Sequence, residues 1–169
     1  MLRWLLYAAA GLGGLILLIL IVGWALPVGH RASRTRSLAA PPEQVFAVVS
    51  DFDRSPEWRT GLDRVEISGP AGPGQTVREF SREGELALRV EALAPPATLV
   101  TRITGEGLPF GGTWTYHIAP GPDGGSTITI TEDGEIYNVI FRVAARFYFG
   151  YEATIETYLR DLARRLGQG

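Results

Sequence analysis

The sequence predicts an α+β protein, in which an antiparallel sheet of about seven strands packs on a long C-terminal helix behind one transmembrane helix. Three observations carry that expectation: an uncharged apolar run over residues 4–26, a series of short alternating segments over 34–131, and a helical period over 137–166. At 169 residues the chain has room for one ordinary domain and a short appendage.

Residues 4–26 carry no charge and are mostly Leu, Ile, Val, Ala and Gly. At 1.5 Å per residue they make a helix of roughly 34 Å, enough for a ~30 Å hydrocarbon core. Trp4 and Tyr7 near one end and Trp24 near the other suit the two membrane–water interfaces. Pro27 stops the helix. A cleaved signal peptide has a shorter apolar region with a small-x-small site close behind it. Gly23-Trp24-Ala25-Leu26-Pro27 is a poor site, and Ser37-Leu38-Ala39 lies well beyond the run. The reading is therefore a single-pass anchor of a bacterial plasma or inner membrane over 1–27, a short linker over 28–33, and a domain over 34–167. Arg31, Arg34 and Arg36 behind the helix lean toward a cytoplasmic domain, whereas the short leading tail with Arg3 suits an N-in anchor equally well. Ala9 with Gly13 and Ala10 with Gly14 form small-xxx-small pairs through which the helix can associate weakly with a second copy.

In the domain, residues 34–39 read as a first strand, and Pro41-Pro42-Glu43 opens a helix that buries Val45, Phe46, Val48 and Val49. Ser55-Pro56 marks a turn before a short second helix at Glu57-Trp58. Strands follow over 63–68, 75–82, 85–93, 98–104, 113–119 and 126–131, with Gly/Pro clusters at 69–74 and 120–125 between them. Leu86, Leu88, Val90 and Ala92 share one face, as do Trp114, Tyr116 and Ile118, and Ile128 and Ile130. One wet face and short turns make the sheet antiparallel. From residue 137 on, Ile140, Ala144, Phe147, Tyr151, Ile155 and Tyr158 lead a stripe that must be buried against the sheet.

The net charge of −2 supplies no basic field for nucleic acid. With no cysteine there is no disulfide, thiolate nucleophile or Cys-ligated zinc.

The residues around the first domain helix, Ala40-Pro41-Pro42-Glu43-Gln44-Val45-Phe46, then Asp51-Phe52, then Pro56-Glu57-Trp58, resemble the START-like (SRPBCC) superfamily, specifically its polyketide cyclase/dehydrase-type members. Some of these also carry an N-terminal membrane helix ending in Leu-Pro, as Leu26-Pro27 does here. The resemblance covers roughly residues 32–167 and implies the helix-grip fold, whose curved sheet wraps the C-terminal helix and leaves a cavity for an apolar ligand. The residues expected to line it are Leu88, Val90, Trp114, Tyr116, Ile128 and Ile130 on the sheet, with Phe147 and Tyr151 on the helix.

Chemistry has few candidates. His30 reads as an interfacial residue of the linker, and His117, alternating with Tyr116, should face solvent; two histidines so placed make no metal site. No nucleophile elbow, phosphate loop or His-Glu-x-x-His pattern occurs, and no cofactor is expected. Glu79 shares parity with Val77, and Glu132 continues that of Ile128 and Ile130. Either carboxylate can point inward, where desolvation raises its pKa, or can reach water at a strand end beside an arginine. The glycine-rich loop 105–112 presents Leu108 and Phe110 either to the core or as a gate touching the membrane. The leading expectation is a membrane-anchored binder or carrier of a hydrophobic, lipid-like or polyketide/quinone-like small molecule. The rivals are a cyclase/dehydrase-type enzyme working through Glu79, Glu132 or Tyr116, and a protein-interaction module whose cavity its own side chains fill.

Overall fold

The computed structural model describes residues 1–105 and 107–168, so Glu106, in the middle of the loop considered above as a gate, lies outside the described residues. The N-terminal run forms one helix, α1 (Leu2–Ala25), with a mean hydropathy of 2.6 over its most apolar window, long and apolar enough to cross a membrane. It stands largely exposed, with Gly23 buried near its C-terminal end. Strand β1 (Gly29–Leu38) begins almost at once, so most of the residues read as a linker are strand, paired from Gly29↔Glu135 onward. The hydrophobic pattern concealed this because Gly29, Arg31 and Ser33 face outward on a strand that carries only Ala32 and Leu38 as buried side chains.

Helix α2 (Pro42–Ser50) has Pro42 in its first turn, where the missing N–H costs nothing, and Glu43 at its positive end. Val45, Phe46 and Val49 are its buried face. A single 3₁₀ turn follows at Ser55–Glu57. The strands β2 (Leu62–Ser68), β3 (Thr76–Ser81), β4 (Gly84–Ala94), β5 (Thr98–Ile103), β6 (Phe110–Pro120) and β7 (Ser126–Ile136) then run as a meander. With β1 they form one seven-stranded antiparallel sheet in the order β1-β7-β6-β5-β4-β3-β2. A bulge at Glu91 breaks the alternation read for β4: beyond it Leu93, not Ala92, turns inward, opposite the fully buried Leu99.

The C-terminal stripe is not one helix. Helix α3 (Val139–Ala144) runs into a π-helical turn at Ala145–Phe149, and Gly150, at φ 74 and ψ 175, ends it before α4 (Ala153–Arg165) begins. That backbone region is essentially open to glycine only. The extra residue of the π turn and the break at Gly150 put residues 145–149 out of phase with α4, and the stripe expected to be continuous divides. Helix α4 seats Ile155, Tyr158, Leu159 and Leu162 on the sheet, facing Val77, Val90, Leu99, Ile118, Ile128 and Ile130. Arg34 of β1 ties down its start by pairing with Glu152 and, at 2.9 Å, with Glu156. The buried Asp161 carboxylate accepts the Thr60 backbone N–H at 2.7 Å and pairs with Arg164, which pins the loop before β2 to α4.

Candidate functional site

A cavity of about 430 Å³ lies between the sheet and the α3–α4 segment. One laterally paired row of inward residues crosses the centre of the sheet behind it: Glu132 of β7, Trp114 of β6, Thr101 of β5 and Val90 of β4. Because neighbouring strands stand only about 5 Å apart, a row of this kind presents its side chains as one wall. Trp114, Thr101 and Glu132 reach the cavity, whereas Val90 is packed beneath it. Tyr116 and Leu88 belong to the adjoining rows and also line it. On the helical side the lining comes from Phe141, Ala145, Phe149, Tyr151, Thr154 and Tyr158.

Of the residues expected to contact a ligand, Leu88, Trp114, Tyr116 and Tyr151 therefore lie at the cavity. Val90, Ile128 and Ile130 do not: they are fully buried in the core between sheet and helices. Phe147 is 69% exposed on the outer side of the π turn, a direct result of the break in the helix. Phe110 lines the cavity, and Leu108 folds back on its own loop beside Gly105. His117 is exposed, opposite Thr129 on the outer face of the sheet.

Two side-chain pairs stand out among the polar groups that line the cavity. Glu79, buried on β3, is held bidentate by Arg59, whose Nη1 donates to Oε1 and whose Nη2 donates to Oε2 at 3.1 Å. Burial works against the Arg59 charge, but the carboxylate's charge and hydrogen bonds outweigh it and raise the guanidinium's pKa further. Arg59 also lies 5.3 Å from the ring centre of Tyr158. Around Tyr158 gather Trp58, Tyr116 and Trp114, with ring centres 5.2, 5.5 and 5.9 Å away. Burial pushes the Tyr158 phenol up to about 12, and pushes Tyr116, with Tyr158 as a further cause, well above its ordinary value. Both phenols are thus neutral hydrogen-bonding groups across the physiological range.

The second pair corrects the reading of His30. Rather than a linker residue, it is a member of β1 whose ring faces the cavity, stacked on Tyr151 at 4.1 Å with an 18° interplanar angle. Its Nε2 lies 3.5 Å from Glu132 Oε1, and its buried Nδ1 has no hydrogen-bond partner among the described residues. The strand geometry makes room for the ring: its cross-strand neighbour is Gly134, where any Cβ would collide with the imidazole. Burial raises the Glu132 pKa above its ordinary value, and His30 offsets this only in part. Glu79 thus does both things the sequence left open, pointing inward and sitting beside an arginine, whereas Glu132 points inward beside His30. Sequence reasoning missed His30, Arg59, Phe141 and Phe149. Gly134 in a strand was the one local signal, since glycine there marks the close approach of another group. Among the described residues no group of three or more His, Asp or Glu could hold a metal ion.

In three dimensions the chain is similar to norcoclaurine synthase from Thalictrum flavum, with a TM-score of 0.67 at 12% identity over 83% of this chain and 96% of that one. It is equally similar to a START superfamily protein from Mycobacterium smegmatis, with a TM-score of 0.66 at 19% identity over 82% and 98% of the two chains. A protein from Rhizobium leguminosarum follows at 0.65 and 19% identity, over 83% and 96%. At these identities the likeness is one of fold. Among curated proteins, none matches this chain. The family described as polyketide cyclase / dehydrase and lipid transport matches residues 29–167, nearly the whole chain beyond α1, and the protein belongs to that family.

Proposed function

We propose that the protein binds an apolar or amphipathic small molecule in the cavity between sheet and helices, and that α1 holds it in a membrane where such molecules reside. The observation that carries the reading is the cavity itself. Its volume of about 430 Å³ falls within the range of small-molecule sites, and its walls are mainly aromatic and aliphatic. Leu88, Trp114, Tyr116 and Tyr151 supply the apolar contacts, and the neutral phenols with the His30–Glu132 pair receive the ligand's polar end. The family description, which includes lipid transport, and the fold of the START superfamily neighbour support the same reading. The test is extraction of small molecules from the full chain purified in detergent, followed by mass spectrometry. One compound enriched over matched empty micelles is expected. Recovery of nothing beyond the micelle background, from several expression hosts, would refute the carrier reading.

One observation favours a second reading, an enzyme of the cyclase or dehydrase kind. Glu132, with its raised pKa, and His30, whose Nδ1 has no partner among the described residues, sit together at the cavity wall, a placement suited to an acid–base pair. Any compound recovered by extraction can be returned to the protein. Turnover lost in Glu132→Gln with binding retained would establish this reading over simple carriage.

A further inference from the structure

We propose that residues 139–150 sit in the lipid interface and form the rim of the cavity, so that the cavity opens onto the bilayer rather than onto water. The inference rests on the reading of α1 as a membrane span, and adds to it where the ligand enters. Three independent observations meet in this segment.

The first fixes its depth. The end of α1 is docked on α3 so closely that a Cβ at Gly23 would overlap the Val139 carbonyl and touch Val143. Arg142, buried although charged, donates from one terminal nitrogen to the Leu26 carbonyl at 2.8 Å and from the other to the Tyr137 carbonyl at 3.3 Å. A guanidinium is well matched to the unsatisfied carbonyls at the negative end of a helix. The first turn of α3 therefore lies level with the point where α1 ends, that is, at the membrane surface.

The second is the chemistry of the exposed face. Ile140, Phe141, Phe147, Tyr148 and Phe149 are all exposed, Tyr148 at 84%. The segment contains no carboxylate, and its one charged side chain besides the buried Arg142 is Arg146, also exposed. Large aromatics with an arginine beside them suit the headgroup region of a bilayer, where rings bury their bodies and a cation meets phosphate. A contiguous apolar surface of this kind is unusual on a domain that faces only water.

The third links the surface to the cavity. Phe141 and Phe149 belong both to the exposed cluster and to the cavity lining, so the boundary between them is the mouth. If the cluster is in lipid, the mouth is too.

The absence of cysteine makes the test direct, because one introduced thiol carries the only label. Nitroxides at Tyr148→Cys and, separately, Phe147→Cys are compared with labels at Leu15→Cys in α1 and Arg89→Cys on the outer face of the sheet. Each full-length variant is reconstituted in phosphatidylcholine–phosphatidylglycerol vesicles. Collisions with dissolved oxygen and with a water-soluble nickel chelate are then read by power-saturation EPR. The oxygen-to-nickel ratio at 147 and 148 should exceed that at 89 by roughly threefold or more, approaching the ratio at 15, as for groups seated among lipids. A ratio at 148 equal to that at 89, with a lipid-like value at 15, overturns the proposal and leaves the anchor standing. A water-like value at 15 overturns both. Exclusion of both colliders at 147 and 148 means that protein, a second copy included, covers the cluster, and this also refutes it.

Discussion

Replacing Leu88 with tryptophan separates a ligand site from a self-filled core. Leu88 lies in mid-strand on β4, paired with Val77 of β3 and Ile103 of β5, and its side chain reaches the cavity. In a close-packed interior the larger side chain would force its neighbours aside at a cost of ~1–3 kcal/mol. Here the indole can extend into the cavity, and the expected change in stability is within ~0.5 kcal/mol. The cost falls on the ligand instead. If the added ring takes the place of about three ligand methylenes at ~0.8 kcal/mol each, binding weakens by ~2.4 kcal/mol, roughly fiftyfold. A fluorescent fatty acid titrated into the full chain in detergent, with empty micelles subtracted, reads the affinity. Thermal unfolding followed by near-ultraviolet circular dichroism reads the stability. The reasoning fails if wild type binds no more probe than the micelles do and the variant also unfolds with the full cost of overpacking. It fails equally if the variant binds as tightly as wild type.

Phe147→Ala should lower stability by no more than ~0.5 kcal/mol in the same unfolding measurement, because the residue is mostly exposed and has little packing to lose; a loss of several kcal/mol would mean the ring is in the core. Glu79→Ala leaves Arg59 without its partner and should cost about 3 kcal/mol, near the lower end for broken buried pairs since Arg59 keeps a quarter of its side chain exposed. Arg59→Met combined with Glu79→Leu should recover most of that loss, and failure to do so would assign the effect to shape rather than to charge. Burial works against the Asp161 carboxylate, but the Thr60 N–H and Arg164 outweigh it and hold its pKa below the ordinary value. A depressed acid stabilises the fold above its unfolded pKa and ceases to do so as pH falls through the folded one, so this contribution should begin to be lost as pH drops below about 3.8 and be gone below the folded value. Comparing the acid limb of unfolding in wild type and Asp161→Asn checks it: the limb should flatten in the variant.

The sheet was legible because strand alternation is a short-range signal that burial enforces along each strand. Tyr116 and Ile118 of β6 and Ile128 and Ile130 of β7 fall on the buried face as their parity requires, and His117 falls on the other. The same argument failed beyond Val90, where the bulge at Glu91 moves Leu93 inward, since one unpaired residue exchanges the two faces and leaves no mark in composition. It failed again at β1, an edge strand that shows its neighbours little apolar surface and so resembles a linker. Burial on the correct face also says nothing about whether a side chain meets protein or empty space. Ile128 and Ile130 share a face with Glu132, yet the isoleucines are core and the glutamate lines the cavity.

What decides that difference is the helical side, and there a sequence pattern carried less. Ile140, Ala144, Phe147 and Tyr151 keep helical spacing, but spacing shows only which residues would share a face if the helix stayed regular. Gly150 stands in the middle of the run, and an isolated glycine inside a helical pattern is tolerated often enough to be read through. Its positive φ turns it into a stop, and the π turn before it rotates Phe147 outward while leaving Phe141, Ala145 and Phe149 at the cavity. The break also frees Tyr151 from the helix so that its ring can lie flat on His30, from the far edge of the sheet. One backbone feature therefore does three things at once. It opens the space above Trp114, it brings β1 into the site through the His30–Tyr151 stack, and it leaves an aromatic surface next to the end of α1. The second and third depend on contacts between segments more than a hundred residues apart, and no local window of sequence contains them.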